Sequence, residues 1–339
     1  MGYPGRSQAN PGAYALDTLV PNLLWLSAHA YWQGDFPRAL HLGKEGLGIA
    51  RSIHDGLIEL LSLAFLCQTY WSTGHYDRAL TVLHEGMTKA KERKNLFIVG
   101  RLTNTLGWFH REFGDAARAV EYDQESLELG RASGVANVEI SALINLGLDY
   151  LALGQHTQAF AYLEPTLKRV QHEVFGTERW RWKTRLLIGL TELFLTTKAY
   201  DQALRYVEAG ITEAQSTSSQ KYVALGWSLR GKIAAQLGDA ETAETELQRA
   251  FSLADALQSP SLAYPIAYAL GHWYESTGKE REAPTLYGKA QAAVDQMATA
   301  VEDAALRATF LQSALVQTIN ERVARFGKSK DTSVGSNYR

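Results

Sequence analysis

The chain has 339 residues, of which 46% are hydrophobic and 21% are charged, and its formal net charge is -2. This near-neutral balance argues against a nucleic-acid-binding protein, which normally has an excess of basic residues. The single cysteine, Cys67, excludes an internal disulfide framework and fits a reducing compartment.

Membrane and targeting segments are not expected. The sequence has no run of about 18 apolar residues of the kind that crosses a membrane. The segment from Met1 to Arg6 lacks the basic and then apolar pattern of a secretion signal. We therefore expect a cytoplasmic protein with no membrane partner.

The predicted elements begin after residues 1–14, which contain two prolines and three glycines and are predicted to form an irregular lead-in. A turn motif then recurs, first from Gly34 to Leu40 (GDFPRAL) and most clearly from Gly74 to Leu80 (GHYDRAL). Its leading positions are 34, 74, 114, 154, 198, 238 and 278, so every spacing is 40 residues except one of 44. A fixed period in this range indicates a solenoid of stacked helical units.

Each copy of the motif has the chemistry of a turn between two helices. Glycine suits the left-handed backbone that ends a helix, and the Asp or His that follows can cap the next helix. Only Lys198 replaces the glycine. An alanine stands five residues after the leading position in all seven copies. A small side chain at that position allows two helices to pack at close range.

The turns divide residues 15–300 into seven helix pairs, which we call units, each with a first helix A and a second helix B. The predicted pairs are 23–32 with 36–51, 57–72 with 76–91, 97–113 with 116–131, 138–153 with 156–173, a helix ending at 197 with 200–215, 222–237 with 240–257, and 263–277 with 280–297. One further helix over 301–326 is predicted as a C-terminal cap, and 327–339 as a flexible tail.

The array resembles the tetratricopeptide repeats. That family has an apolar residue and a glycine in helix A, then an aromatic residue, the turn glycine and the small alanine of helix B. Three units of this chain follow the pattern, with Cys67 in place of the first glycine in one of them, and Gly107 and Gly231 match in two more. The matching sets are Leu66-Cys67-Tyr70-Gly74-Ala79, Leu146-Gly147-Tyr150-Gly154-Ala159 and Leu270-Gly271-Tyr274-Gly278-Ala283. His110 and Ala234 depart from the pattern at the aromatic position.

The resemblance covers roughly residues 20–300, and the 40-residue period is longer than the usual 34. Units of this length resemble the arrays found C-terminal to nucleotide-binding modules in bacterial signal-transduction ATPases and maltose-regulator-type activators. The resemblance implies an all-α, right-handed superhelical solenoid whose inner face is lined by the A helices. It also implies that this face binds a protein, a peptide or occasionally a small ligand.

By the register of the family, several polar and aromatic residues of the A helices should line the inner face. They are Gln68, Trp71, Arg101, Asn104, Trp108, Arg111, Arg185, Glu192, Lys232, Tyr268 and His272. Arg101, Asn104, Trp108 and Arg111 are spaced by 3, 4 and 3 residues and so share one helical face. Such a face could hold a carboxylate or an extended peptide. The alternative is a solvated face with Trp108 partly packed.

The insertion after the fourth unit carries Trp180-Arg181-Trp182. Basic residues interleaved with aromatic ones can stack on bases or contact a phosphate. The interpretation we favour is structural, with both tryptophans filling the gap that the insertion opens between the fourth and fifth units.

No sequence motif indicates an enzyme. The metal motifs HExxH and CxxC, the phosphate loop GxxxxGK[ST] and the nucleophile motif GxSxG are all missing, so we expect no metal and no cofactor. The sequence therefore predicts a non-enzymatic scaffold that binds a protein or peptide in a concave groove. The alternative hypothesis is the sensor region of a larger bacterial ATPase, cyclase or transcription activator, which binds a small effector or a partner domain.

Overall fold

A computed structural model describes residues 11–173 and 179–334, with side chains over 21–173 and 179–326. These residues form sixteen α-helices, and no strand occurs among them. Helices α1 to α14 form the seven predicted pairs, each odd-numbered helix being an A helix. The pairs are α1 Pro11–Gln33 and α2 Phe36–Ser52, α3 Gly56–Ser72 and α4 Tyr76–Glu92, α5 Leu96–Glu112 and α6 Ala116–Ser133, α7 Ala136–Ala152 and α8 His156–His172, α9 Arg179–Thr196 and α10 Tyr200–Ser216, α11 Gln220–Leu237 and α12 Ala240–Leu257, and α13 Pro260–Ser276 and α14 Ala283–Thr299. The predicted all-α solenoid is confirmed.

The recurring turn has the left-handed backbone that its sequence predicts. Six of the seven leading positions are glycines with φ between 72° and 81°, and Lys198 adopts φ 60°. In the second unit, the His75 N–H donates to the Tyr70 carbonyl at 2.9 Å, the six-to-one bond of a Schellman ending. The Asp35 carboxylate caps α2, whereas the His75 side chain makes no capping bond, so the prediction of a histidine cap was wrong.

Helices pack closely where the motif places its alanine. All seven alanines are fully buried: Ala39, Ala79, Ala119, Ala159, Ala203, Ala243 and Ala283. A larger side chain at any of these positions would push the A and B helices of a unit apart. The repeat in the sequence therefore places a buried alanine at the same position in the core of every unit.

Consecutive turns of the superhelix also touch each other. A Cβ on Gly34, in the first unit, would lie 2.5 Å from Leu257 of the sixth unit. Trp32 stacks on Tyr222 at 5.9 Å between ring centroids, which joins α1 to α11. Farther along, Phe113 packs against Phe310 at 4.9 Å, in a core that joins α3, α4 and α5 to the C-terminal helices. The solenoid therefore closes on itself.

The ends of the array differ from the prediction. The single cap helix over 301–326 is two helices, α15 Ala304–Gln312 and α16 Ala314–Val334, because Ser313 adopts extended backbone with ψ 144°. Glu275 of α13 holds α16 through Arg322 at 3.1 Å and Arg325 at 2.5 Å.

The helices at both termini extend beyond their predicted boundaries. Helix α1 begins at Pro11, so residues 11–14 of the predicted lead-in are helical, as suits a proline in a first turn. Residues 1–10 lie outside the described part of the chain. Helix α16 continues to Val334, into the predicted tail, whose residues 335–339 lie outside it as well. The same holds for residues 174–178, which include the start of the insertion.

Candidate functional site

The inner faces of the seven A helices surround a cavity of about 450 Å³, which we call the inner pocket. Every A helix contributes to its lining: Tyr31 from α1, Gln68 from α3, Trp108 from α5, Ser141 from α7, Arg185 from α9, Tyr222 from α11 and Tyr264 from α13. The pocket forms because the superhelix closes, which brings α11 and α13 opposite α3 and α5.

Seven of the predicted inner-face residues line this pocket. They are Gln68, Arg101, Asn104, Trp108, Arg111, Arg185 and Glu192. They come from α3, α5 and α9, so units that are separate in sequence meet at one site. The structure shows that these side chains lie together, and their role in binding stays a prediction.

Trp71 lies elsewhere, in the core between units. It is fully buried and stacks face to face on Phe109, with ring centroids 3.4 Å apart. Its indole N–H donates to Glu112 Oε2 at 2.8 Å. The register placed Trp71 on the inner face, but the A helix of the next unit covers that position, so Trp71 is unavailable to a ligand.

Three further predicted residues lie outside the pocket lining. Lys232 is half-buried on α11, where burial lowers its pKa and the nearby Glu192 carboxylate opposes that shift. Tyr268 is half-buried on α13, and its ring stacks on that of the exposed His272 and lies 5.9 Å from the ring of Tyr287. These three residues therefore stand outside the inner pocket, whereas Tyr264 of α13 lines it.

Glu112 is a hub that the sequence analysis missed. Its two carboxylate oxygens each accept an indole N–H at 2.8 Å, one from Trp71 and one from Trp108. Lys221 of α11 lies 3.6 Å from the same carboxylate and 5.1 Å from the centre of the Trp108 ring. Burial alone would lower the pKa of Lys221, but Glu112 and Tyr31 outweigh it and raise that pKa. One carboxylate thus links the pocket wall to the contact between superhelical turns.

Two buried carboxyl groups lie directly behind the pocket wall. Asp123 Oδ1 accepts bonds from Asn104 Nδ2 at 2.5 Å and Asn145 Nδ2 at 3.2 Å, and Arg111 Nη1 donates to Asp149 Oδ1 at 2.6 Å. Asp149 lies close enough to Asp123 to affect its pKa, and the Oδ2 atoms of both groups have no hydrogen-bond partner among the described residues. Burial raises the pKa of both groups, that of Asp123 well above its usual value. Protonation removes the charge that this buried environment disfavours, so the raised pKa of Asp123 favours its neutral form.

Arg185 differs from the other cations of the pocket. It is half-buried and donates to the Asn145 Oδ1 atom, and no carboxylate lies within ion-pair distance of it among the described residues. Burial lowers its pKa, and the positive charge of Arg111 adds to the shift. The amide oxygen of Asn145 is neutral and satisfies one donor, while Asp123 and Asp149 act on the charge of Arg185 without a direct ion pair.

An aromatic cluster closes one side of the pocket. Trp32 of α1 stacks on Tyr222 of α11 and meets Trp180 edge to face at 5.3 Å. Trp182 is buried in the core, and its indole N–H donates to Ser141 Oγ at 3.3 Å. Trp182 therefore packs against the fourth unit, as the structural interpretation predicts, whereas the described ring contact of Trp180 is with Trp32 of the first unit; Arg181 lines the pocket.

Comparison with known proteins identifies the repeat. A family model described as tetratricopeptide repeat matches residues 140–178, from α7 to the insertion. The chain is therefore similar to the tetratricopeptide-repeat proteins. This repeat protein is 25% identical over 162 residues to the response regulator aspartate phosphatase I of Bacillus subtilis, and 23% identical over 274 residues to the outer dynein arm-docking complex subunit 4 of Danio rerio. These matches cover 47% and 76% of the chain but only 38% and 55% of those relatives.

Solved structures with the same fold are also similar to this chain. A Rap protein complexed with competence and sporulation factor matches with a TM-score of 0.63 and 13% identity, over 92% of this chain and 87% of that one. NprR in complex with its cognate peptide NprX matches with a TM-score of 0.59 and 16% identity, over 97% and 89%. At these identities the likeness concerns the fold alone.

Two further kinds of site are absent from the described residues. They contain no group of three or more His, Cys, Asp or Glu side chains that could hold a metal ion. Among the helices of the same residues, none is long and apolar enough to span a bilayer.

Proposed function

We propose that this chain is a non-enzymatic binding protein whose inner pocket takes a short peptide or an extended segment of a protein. The observation that supports this most directly is the convergence of all seven A helices on one pocket. A cavity shared by many units is the feature that a solenoid offers to a ligand, since a single helix pair has too little surface to enclose one.

The size and chemistry of the pocket suit such a ligand. Its volume of about 450 Å³ falls within the range of about 300–1,000 Å³ that is usual for ligand sites, and is too small for a folded domain. Trp108 and Tyr222 offer aromatic surface, while Gln68 and Asn104 offer amide groups that can pair with a peptide backbone. The pocket is already formed, so binding would order few protein groups.

The structural relatives support the same proposal. Both structures have the same fold: the Rap protein is complexed with competence and sporulation factor, and NprR is in complex with its cognate peptide NprX. We infer a peptide ligand for this chain from the fold and the pocket together, and we keep a cytoplasmic location as part of the proposal.

The volume of the pocket also supports a second candidate, a small effector bound by a sensor region. In that case the closed superhelix would report on the effector to another part of a larger protein. The two candidates differ in the ligand that fills the pocket, so a selection from mixed libraries separates them.

The test is affinity selection from a random hexapeptide library and a metabolite mixture, with bound compounds identified by mass spectrometry. Gln68→Trp fills the pocket without removing a described hydrogen bond, and Gln158→Trp adds the same ring at an exposed position on α8. We expect the wild type and Gln158→Trp to retain peptides, and Gln68→Trp to retain at least about tenfold fewer. Equal retention by all three proteins would place binding outside the pocket, and retention of metabolites alone would favour the sensor.

A further inference from the structure

The first helix has an exposed side that is largely apolar. Four of the described side chains of α1 are exposed, and their spacing of 3, 1 and 3 residues places them on one helical face. They are Asn22, Trp25, Leu26 and His29, which we call the α1 face. The exposed fractions of Trp25 and Leu26 are 54% and 45%. None of the four residues lines the inner pocket, so the α1 face is a separate surface.

The position of Trp25 is buried in every later A helix. Its counterparts, found by the period of the repeat, are Phe65, Thr105, Asn145, Gly189, Leu229 and Ala269, and all are buried. Phe65 of α3 packs against Leu24 and Ala28 of α1, which is the A helix of the preceding unit. The position of Trp25 therefore belongs to the surface through which a unit stacks on the unit before it.

The position of Leu26 shows the same contrast. Its counterpart in α3, Leu66, is only 2% exposed. A Cβ on Gly43 of α2 would lie 2.9 Å from Leu66, so α3 packs closely on the B helix of the first unit as well. The α1 face is thus the stacking surface of the repeat, and in α1 this surface is exposed to solvent.

The opposite end of the array is covered. Helix α16 packs on α14, and its Val316 and Ile319 are fully buried in a core that includes Val294 of α14. A second copy therefore cannot stack its α1 face on the last unit, which would build an open filament. A terminal unit of a repeat array normally has a polar outer face. The α1 face departs from this rule, and a large exposed apolar side chain such as Trp25 is typical of an interaction site.

The composition of the α1 face suits contact with itself. A two-fold contact places the same surface of two copies together, so a charge near the axis would meet its like. Such like-charge contacts strongly disfavour association. The α1 face contains no acid, lysine or arginine, so two copies can meet without this repulsion.

We propose that the α1 face is a dimer interface, on which a second copy of this chain packs its own α1 face across a two-fold axis. Each copy then covers Trp25 and Leu26 of its partner, as a preceding unit covers their counterparts within the array. The contact runs along one helix and is smaller than the about 1,200–2,000 Å² of a standard stable interface. The dimer is therefore weak, with a dissociation constant on the order of 10 µM.

Charged substitutions at Leu26 test the two-fold contact. Leu26→Lys and Leu26→Glu each place like charges in the interface, whereas a mixture of the two proteins pairs opposite charges. Leu237→Lys makes the same change at a leucine of α11 that is 51% exposed, and serves as the matched control. Sedimentation velocity from about 1 to about 300 µM chain measures the association. Native mass spectrometry of the mixture, with one variant isotopically labelled, identifies heterodimers.

We expect the wild type and Leu237→Lys to pass from monomer to dimer over this range. Each Leu26 variant alone should associate at least about tenfold more weakly, and the mixture should form heterodimers. Since a misfolded variant would not pair, the mixture also controls for folding.

Three results would overturn the proposal. A wild type that stays monomeric throughout would leave the α1 face to a helical segment of another protein. Undiminished dimers of both Leu26 variants would place the contact on another surface. Loss of the dimer in both variants without heterodimers in the mixture would rule out the pairing of two α1 faces.

Discussion

Lys221 of α11 lies 3.6 Å from the Glu112 carboxylate of α5, so a salt bridge joins two superhelical turns beside the inner pocket. The same carboxylate accepts the indole N–H groups of Trp71 and Trp108. Core packing and the pocket wall therefore depend on one acidic side chain. Its partners lie on α3, α5 and α11. The full set of contacts of Glu112 therefore forms only when the solenoid is closed.

Glu112→Gln should destabilise the fold by about 2–3 kcal/mol. The amide can accept one indole N–H, but its NH₂ group faces the other donor, and Lys221 loses its counter-charge. Glu128→Gln changes an exposed side chain on α6 and should stay within about 0.5 kcal/mol of the wild type. Urea denaturation measures both free energies of unfolding. A Glu112→Gln protein as stable as the control would show that the hub does not hold the turns together.

Gly34→Ala should be more destabilising than Gly154→Ala. Both glycines adopt positive φ, 80° and 72°, so alanine costs about 1–2 kcal/mol at either position. A Cβ at Gly34 would also meet Leu257 at 2.5 Å, whereas nothing lies within 4 Å of a Cβ at Gly154. We expect a further loss of about 1 kcal/mol or more at Gly34.

The free energies of unfolding of these two alanine variants, measured side by side, isolate the contact between the first and sixth units. Equal losses would mean that this contact does not form in solution. A larger loss of stability at Gly154 would contradict the contact between the first and sixth units that closes the superhelix.

The paired carboxyl groups predict a pH dependence of stability. The pKa of Asp123 is raised by burial and by Asp149, so the folded protein holds a proton that the unfolded chain releases above about pH 3.9. Stability from this group is complete below that pH and falls as the pH rises toward the folded-state pKa. Asp123→Asn keeps a donor toward Asp149 and has no proton to lose.

We therefore expect the wild type to lose stability relative to Asp123→Asn as the pH rises from about 5 to about 8. The difference in their free energies of unfolding should grow by about 1.4 kcal/mol for each pH unit, up to the folded-state pKa of Asp123. Denaturant midpoints at several pH values measure the trend. Asp201→Asn, at an exposed position on α10, should follow the wild type. Parallel curves for all three proteins would contradict the raised pKa of Asp123.

Glu59 should show the opposite dependence. Burial alone would raise its pKa, but hydrogen bonds from Lys89, Arg93 and Arg51 hold it at about 2. Its stabilisation is therefore present above the unfolded pKa of about 4.3 and disappears as the pH falls toward 2. Glu59→Gln should be less stable than the wild type at neutral pH, and the gap should close in acid. Unfolding followed by circular dichroism between these limits measures it, and a gap that widens in acid would contradict the cluster.

The sequence predicts the local part of this structure well. The turn glycines, the buried alanines and the helix pairs follow from a 40-residue period and from backbone chemistry, which act within one unit. Seven pocket residues, among them Arg111 and Arg185, follow from the register of the A helices. These features need no knowledge of how distant units meet.

The contacts between superhelical turns could not be predicted in this way. Each unit is rotated slightly relative to the one before it, and these contacts depend on the total rotation over several units. The spacing of motifs in the sequence does not give that total. For this reason Trp71 was placed on the inner face, and the Glu112–Lys221 pair was missed. Asp123 was missed because an acidic residue on a B helix normally faces water. Asn104, opposite it at 2.5 Å, was interpreted only as a ligand contact.

The central claim is that ligands bind on the inner faces of the A helices. A peptide retained by the wild type, resynthesised with a photoreactive benzophenone side chain, tests it directly, with the crosslinked residues located by mass spectrometry. The account predicts crosslinks on α5, α7 and α9 near Trp108, Ser141 and Arg185, and their loss in Gln68→Trp. Crosslinks confined to B helices such as α6 and α8, and unchanged in Gln68→Trp, would contradict it.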